Sequence, residues 1–143
     1  YYRDVSSVTE SFKVVSKDYA DITGKRMFIK PNIISTDIQK MAAEEKRVND
    51  ILIYTPYVEK DTVILTIPEG YAVEAMPKPV TISNKFGNYT NTYTYKDGSV
   101  QMVRVFERNN GRFPASSYDS LVDFYNAMYK ADNARMVFVK QGE

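Results

Sequence analysis

Apolar and polar positions along this chain follow two different rhythms. From residue 50 onward, short apolar runs between turn-forming residues predict strands. Ile51-Leu52-Ile53-Tyr54 is a run of the buried type, and residues 62–67 form another, stopped by Pro68-Glu69-Gly70. Residues 71–75 make a short strand. Met76-Pro77 with Pro79 then marks a kink or a sheet edge, because proline cannot donate to a ladder. Residues 80–86 and 89–95 read as a hairpin joined at Gly87-Asn88, and Asp97-Gly98 supplies the next tight turn. Residues 99–108 form a long strand that ends at Asn109-Asn110-Gly111.

The rhythm then changes. Tyr118, Leu121, Val122, Tyr125, Met128 and Ala131 recur at helical spacing and predict a helix over 116–132. Ser116 is placed to cap it, with Asp119 three residues on. Asp119 and Asp123 lie near the positive end of its dipole and Lys130 near the negative end, with Asn133 closing it. Met136-Val137-Phe138-Val139 returns as a final strand, expected at a sheet edge. The first 30 residues read as strands too, with Val5, Val8, Phe12, Val14 and Val15 among polar residues and a turn at Thr23-Gly24-Lys25. Residues 35–47 break the pattern. Thr36 and Gln39 fit a capping box, and Ile38, Met41 and Ala42 share one helical face. A short helix is expected there, with an irregular crossing between two sheets as the alternative.

Many short strands with one helix packed on them imply a mainly β fold, an immunoglobulin-like β-sandwich with a C-terminal helix and a closing strand. The 143 residues fit one domain with a sizeable core. Tyrosine is over-used, with 12 copies, which suits a pleated, half-buried surface.

Charge and composition narrow the chemistry. The 19 basic and 18 acidic residues are interspersed, so no footprint for nucleic acid appears. No apolar run approaches the ~18 residues of a membrane span. The chain has no Cys, no His and no Trp. A thiol nucleophile, an imidazole base and a histidine or cysteine metal site are therefore excluded, and no glycine-rich phosphate loop exists. The chain is expected not to be an enzyme and to need no cofactor. Tyr1-Tyr2-Arg3-Asp4-Val5 has neither an initiator Met nor the shape of a signal peptide, and is expected to lie inside a larger protein.

From Asp61 onward the chain carries an ordered set of short motifs: Asp61-Thr62-Val63, Ile67-Pro68-Glu69-Gly70-Tyr71, Met76-Pro77, Phe86-Gly87-Asn88-Tyr89, Val103-Arg104, Phe113-Pro114 with Tyr118, Phe124-Tyr125, and Ala131-Asp132 before the closing strand. In order and spacing these resemble the C-terminal β-sandwich of a family of large bacterial envelope proteins, itself a domain of unknown function. Arg47 and the extended run after it resemble the lead-in to that domain. In such proteins a transglutaminase-like, papain-fold core sits between β-rich flanking domains. The resemblance implies a non-catalytic accessory domain whose partner is the upstream catalytic domain of the same polypeptide. It also implies a periplasmic or cell-surface location in a Gram-negative bacterium. The Cys, His and Asp of such a core have no counterparts to carry over.

Three candidate sites remain. Tyr89, Asn91, Tyr93 and Tyr95 share one face of a strand, with Thr90, Thr92 and Thr94 on the other. The Tyr face is either an interaction face for a glycan, a peptide or a partner domain, or simply the core face; an exposed face with a groove favours ligand binding, a buried one favours docking. Asp119 and Asp123 have the spacing of an acid/base or metal pair, but dipole partners explain them more simply. Glu44-Glu45-Lys46-Arg47 reads as a solvated helix end, and Asn88-Tyr89-Thr90 as a turn rather than a glycan acceptor.

Overall fold

A computed structural model describes residues 9–11, 13–33, 39–44 and 46–142. Strands β1 (Asp21–Thr23), β2 (Arg26–Ile29), β3 (Ile51–Ile53), β4 (Tyr57–Thr66), β5 (Tyr71–Ala75), β6 (Val80–Asn84), β7 (Gly87–Lys96), β8 (Ser99–Arg108) and β9 (Gly111–Phe113) precede helix α1 (Tyr118–Asp132) and strand β10 (Met136–Lys140). All pairings are antiparallel. One sheet has the order β4-β8-β7-β6, a second β1-β2-β10-β5, and β3 pairs with β9 in a short ribbon.

Alternation along β8 explains how the layers stack. Val100, Met102, Arg104 and Phe106 are all buried, while Gln101 and Glu107 are exposed and Val103 and Val105 half-buried. The inner face of the long sheet thus carries the core, and two different partners cover it. At one end Val100 packs with Met27 of β2 and with Met136 and Phe138 of β10, joined by Leu65, Val73 and Tyr93. At the other end Phe106, Tyr89 and Phe86 pack on Leu121, Phe124 and Met128 of α1 and on Ile51 of β3. Burying side chains of this size stabilises by roughly 1.5–3 kcal/mol each. The mainly β architecture, the single C-terminal helix and the closing strand all appear as expected.

Several local expectations are corrected. The helix begins at Tyr118 after a 3-10 turn over Ala115–Ser117, so the residue before it is Ser117 and neither serine hydroxyl caps it. Instead the Ser117 hydroxyl accepts a hydrogen bond from Lys85 Nζ. The β6–β7 turn falls at Lys85-Phe86, because Asn84 pairs with Gly87. The Asn84 side chain accepts from the Phe86 N–H, and the Phe86 ring is held against Phe113 in the core at 4.6 Å. Gly87 is therefore a strand residue, needed where a Cβ would lie 2.0 Å from the Glu107 carbonyl oxygen. Asn88 is likewise in the strand, hydrogen-bonded with Ser83 and Glu107. The Asp97-Gly98 turn is as expected, both residues having positive φ, 49° and 73°.

No helix forms over residues 39–44; residues 35–38 and Glu45, part of the same expectation, lie outside the described residues. The Asn126 side chain of α1 accepts from Met41 N–H at 2.9 Å and donates to Met41 C=O at 3.1 Å. With both backbone groups taken by Asn126, Met41 is held against α1 in irregular backbone, which agrees with the irregular reading of this segment. Arg47 is no helix end: it pairs with Glu44 and stacks on the Tyr118 ring. In the N-terminal stretch, Val14 and Val15 are exposed and lie in no strand, while residues 1–8 and Phe12 are outside the described residues. The closing strand β10 is not at an edge but lies between β2 and β5.

Candidate functional site

The polar centre of the molecule lies between the two apolar clusters. Arg104 follows Met102 and precedes Phe106 on the inner face of β8, and its side chain is 1% exposed. Sheet register places Asp61 of β4 on one side of it and Asn91 of β7 on the other. The last residue of α1, Asp132, completes the group from above.

Arg104 Nε donates to Asp132 Oδ1 at 2.9 Å. Arg104 Nη1 donates to Glu59 Oε2 at 2.8 Å and to Asp61 Oδ2 at 2.9 Å. The Tyr89 hydroxyl donates to the same Asp132 oxygen at 2.7 Å and accepts from Asn91 Nδ2 at 3.2 Å. The guanidinium also lies 5.5 Å from the Tyr89 ring centre. Burial alone would lower the Arg104 pKa, but hydrogen bonding to Glu59 and the Asp132 charge raise it overall, so it stays cationic. Burial, then the bond to Asp132, pushes the Tyr89 phenol well above the ordinary tyrosine range. Both groups are locked in one protonation state near neutral pH, the opposite of what acid–base catalysis needs.

The Tyr ladder is split by this centre. Tyr89 and Asn91 are fully buried and belong to it. Tyr93 is half-buried, and burial raises its pKa. Tyr95, at 53% exposure, reaches solvent. The four residues do share a face, but that face is core at one end and open only at the other. Asp119 and Asp123 are exposed on α1, and among the described residues no acidic group is arranged to hold a metal ion.

Sequence reasoning missed the Arg104 cluster although the signal was present. Alternation along 99–108 puts position 104 with Val100, Met102 and Phe106, so an arginine there had to be buried and paired. Asp61, Arg104 and Asp132 had each been noted in separate short motifs, and the fold brings all three together.

Beside Tyr93 lies a groove of about 480 Å³ lined by Pro77, Lys78, Val80, Ile82, Tyr93, Ala127, Lys130, Ala131 and Ala134. It runs between α1 and β6, the last strand of its sheet.

Comparison with known proteins places the chain in a family. Residues 25–138 match DUF3858, described as a "Domain of Unknown Function with solved-structure structure", and the chain belongs to that family. A crystal structure from Parabacteroides distasonis, described as a "putative protease", superposes with a TM-score of 0.65 at 24% identity over 80% of this chain. That likeness shows a shared fold. The chain spans only 23% of the length of the Parabacteroides protein. A comparison with curated proteins gave no match.

Proposed function

We propose that this domain is a non-catalytic accessory module of a larger cell-envelope protein, whose core is a transglutaminase-like cysteine peptidase or acyltransferase. The observation that carries this reading is the superposition of the chain on less than a quarter of a longer protein described as a "putative protease". The absence of Cys and His supports it, since no nucleophile–base pair of the papain type can be assembled here. The buried end of the Tyr face supports docking over glycan binding, because a sugar platform needs an exposed ring. The module would act mechanically, packing on the core and shaping or covering its substrate cleft, in the periplasm or at the cell surface.

The test is an assay of the purified 143-residue chain against casein and fluorogenic peptides. The expected result is no turnover above a buffer blank. Hydrolysis that persists through repurification and is lost on no single-step removal of a contaminant contradicts the proposal.

A further inference from the structure

The groove beside Tyr93 has three properties that together define an occupant. Its walls are apolar and small: Val80 and Ile82 from β6 face Ala127, Ala131 and Ala134 from the helix side. Its rims carry two cations, Lys78 and Lys130, both exposed, and among the described residues no acidic one lines it. Neither lysine has an ion-pair partner among the described residues. Its third side is a sheet edge, since among the described residues β6 pairs with β7 only. Alternate residues of such an edge direct their N–H and C=O groups outward, where an extended chain can pair with them.

We propose that this groove binds an extended acidic–apolar peptide segment of a separate polypeptide, added as a strand along β6. Side chains on the inner face of the added strand recur every second residue. Lys78 lies in the Pro77–Pro79 link just before β6 and lines the same groove as Val80 and Ile82. From Val80 to Asn84 the strand advances about 13 Å, enough for some four ligand residues. One apolar side chain fits between Ile82 or Val80 and the alanines of α1. A carboxylate two residues away meets Lys78 or Lys130. Backbone pairing supplies affinity, and the lysines select charge. The inference goes beyond the accessory role and does not depend on it.

Its probe is a blocked pentapeptide with glutamate at both ends, valine at the centre and threonine between, symmetric so that strand direction does not matter. The control replaces both glutamates by lysine. Amide and methyl NMR shifts of the full chain are followed during titration. The expected result is saturable shifts centred on Val80, Ile82, Tyr93 and Ala131, with the lysine peptide roughly tenfold weaker. The Lys78→Glu, Lys130→Glu double variant should reverse that preference. Both lysines are exposed, so the variant should keep the native spectrum, and Lys→Gln at both positions serves if it does not. No saturable shift at millimolar peptide, equal binding of both peptides, or shifts confined elsewhere overturns the proposal. So does saturation by oligosaccharides with none by peptide.

Discussion

Without its guanidinium, Arg104 would leave the Asp132 carboxylate, 3% exposed, without the ion-pair partner that now links it to Asp61 and Glu59. Removing one partner of a buried ion network costs about 3–5 kcal/mol, because the remaining charges stay desolvated. Arg104→Met is expected to lower stability by that order in urea denaturation. Replacing Arg104 and Asp132 together by apolar residues should cost much less than the sum of the single changes, as a double-mutant cycle will show. Tyr89→Phe removes the bond to Asp132, whose oxygen Arg104 still satisfies, and the bond from buried Asn91, so the expected loss is about 1–3 kcal/mol. The same variant has a pH signature. Folding raises the Tyr89 pKa, so the neutral phenol is the favoured form. Its contribution is fully present below the unfolded value of about 10 and is lost as pH rises above it toward the folded value. Stability of the native chain should therefore fall more steeply above pH ~10 than that of Tyr89→Phe. Equal slopes would contradict this.

Among the elements, those with a strong internal pattern were legible in the sequence. The long strand over 99–108, the Asp97-Gly98 turn, the strand over 71–75 and the body of the helix all lie where periodicity puts them. Failures occur where a distant contact overrides the local signal. Phe86 reads as a strand residue, yet the core ring of Phe113 and the Asn84 cap make it a turn residue. Met41 reads as helical until Asn126, 85 residues away, takes both its backbone groups. The three residues of β9 are too few to show any period. Two predictions follow from these contacts. Gly87→Ala must displace the Glu107 carbonyl, so it should destabilise by more than the ~1 kcal/mol of an ordinary glycine replacement, measured by thermal melts. Asn126→Ala should raise amide exchange and proteolysis in the segment around Met41 while leaving β7 and β8 protected. Uniform loss of protection would show that the clamp is global instead.

At the scale of the whole molecule, alternation identified the inner face of the long sheet but could not say what covers it. The β10 strand sits between β2 and β5, partners separated from it by long stretches of chain, and nothing local in the sequence orders such strands. The Arg104 centre is the hinge of this arrangement, since it joins β4, β7, β8 and α1 at the seam between the two apolar clusters. The inward-pointing charges of Glu59 and Asp61 also lie on β4, an edge strand, where such charges discourage edge-to-edge pairing. The opposite edge, β6, carries no acidic or basic residue within the strand and borders the lysine-rimmed groove. The proposed accessory role draws on the share of a longer protein that this fold covers. Its most direct test is the coding sequence immediately upstream of the Tyr1 codon. An uninterrupted reading frame that encodes a papain-like core with Cys, His and Asp in that order is expected. A stop codon, or a signal peptide directly before Tyr1, would contradict it and make peptide binding the leading role.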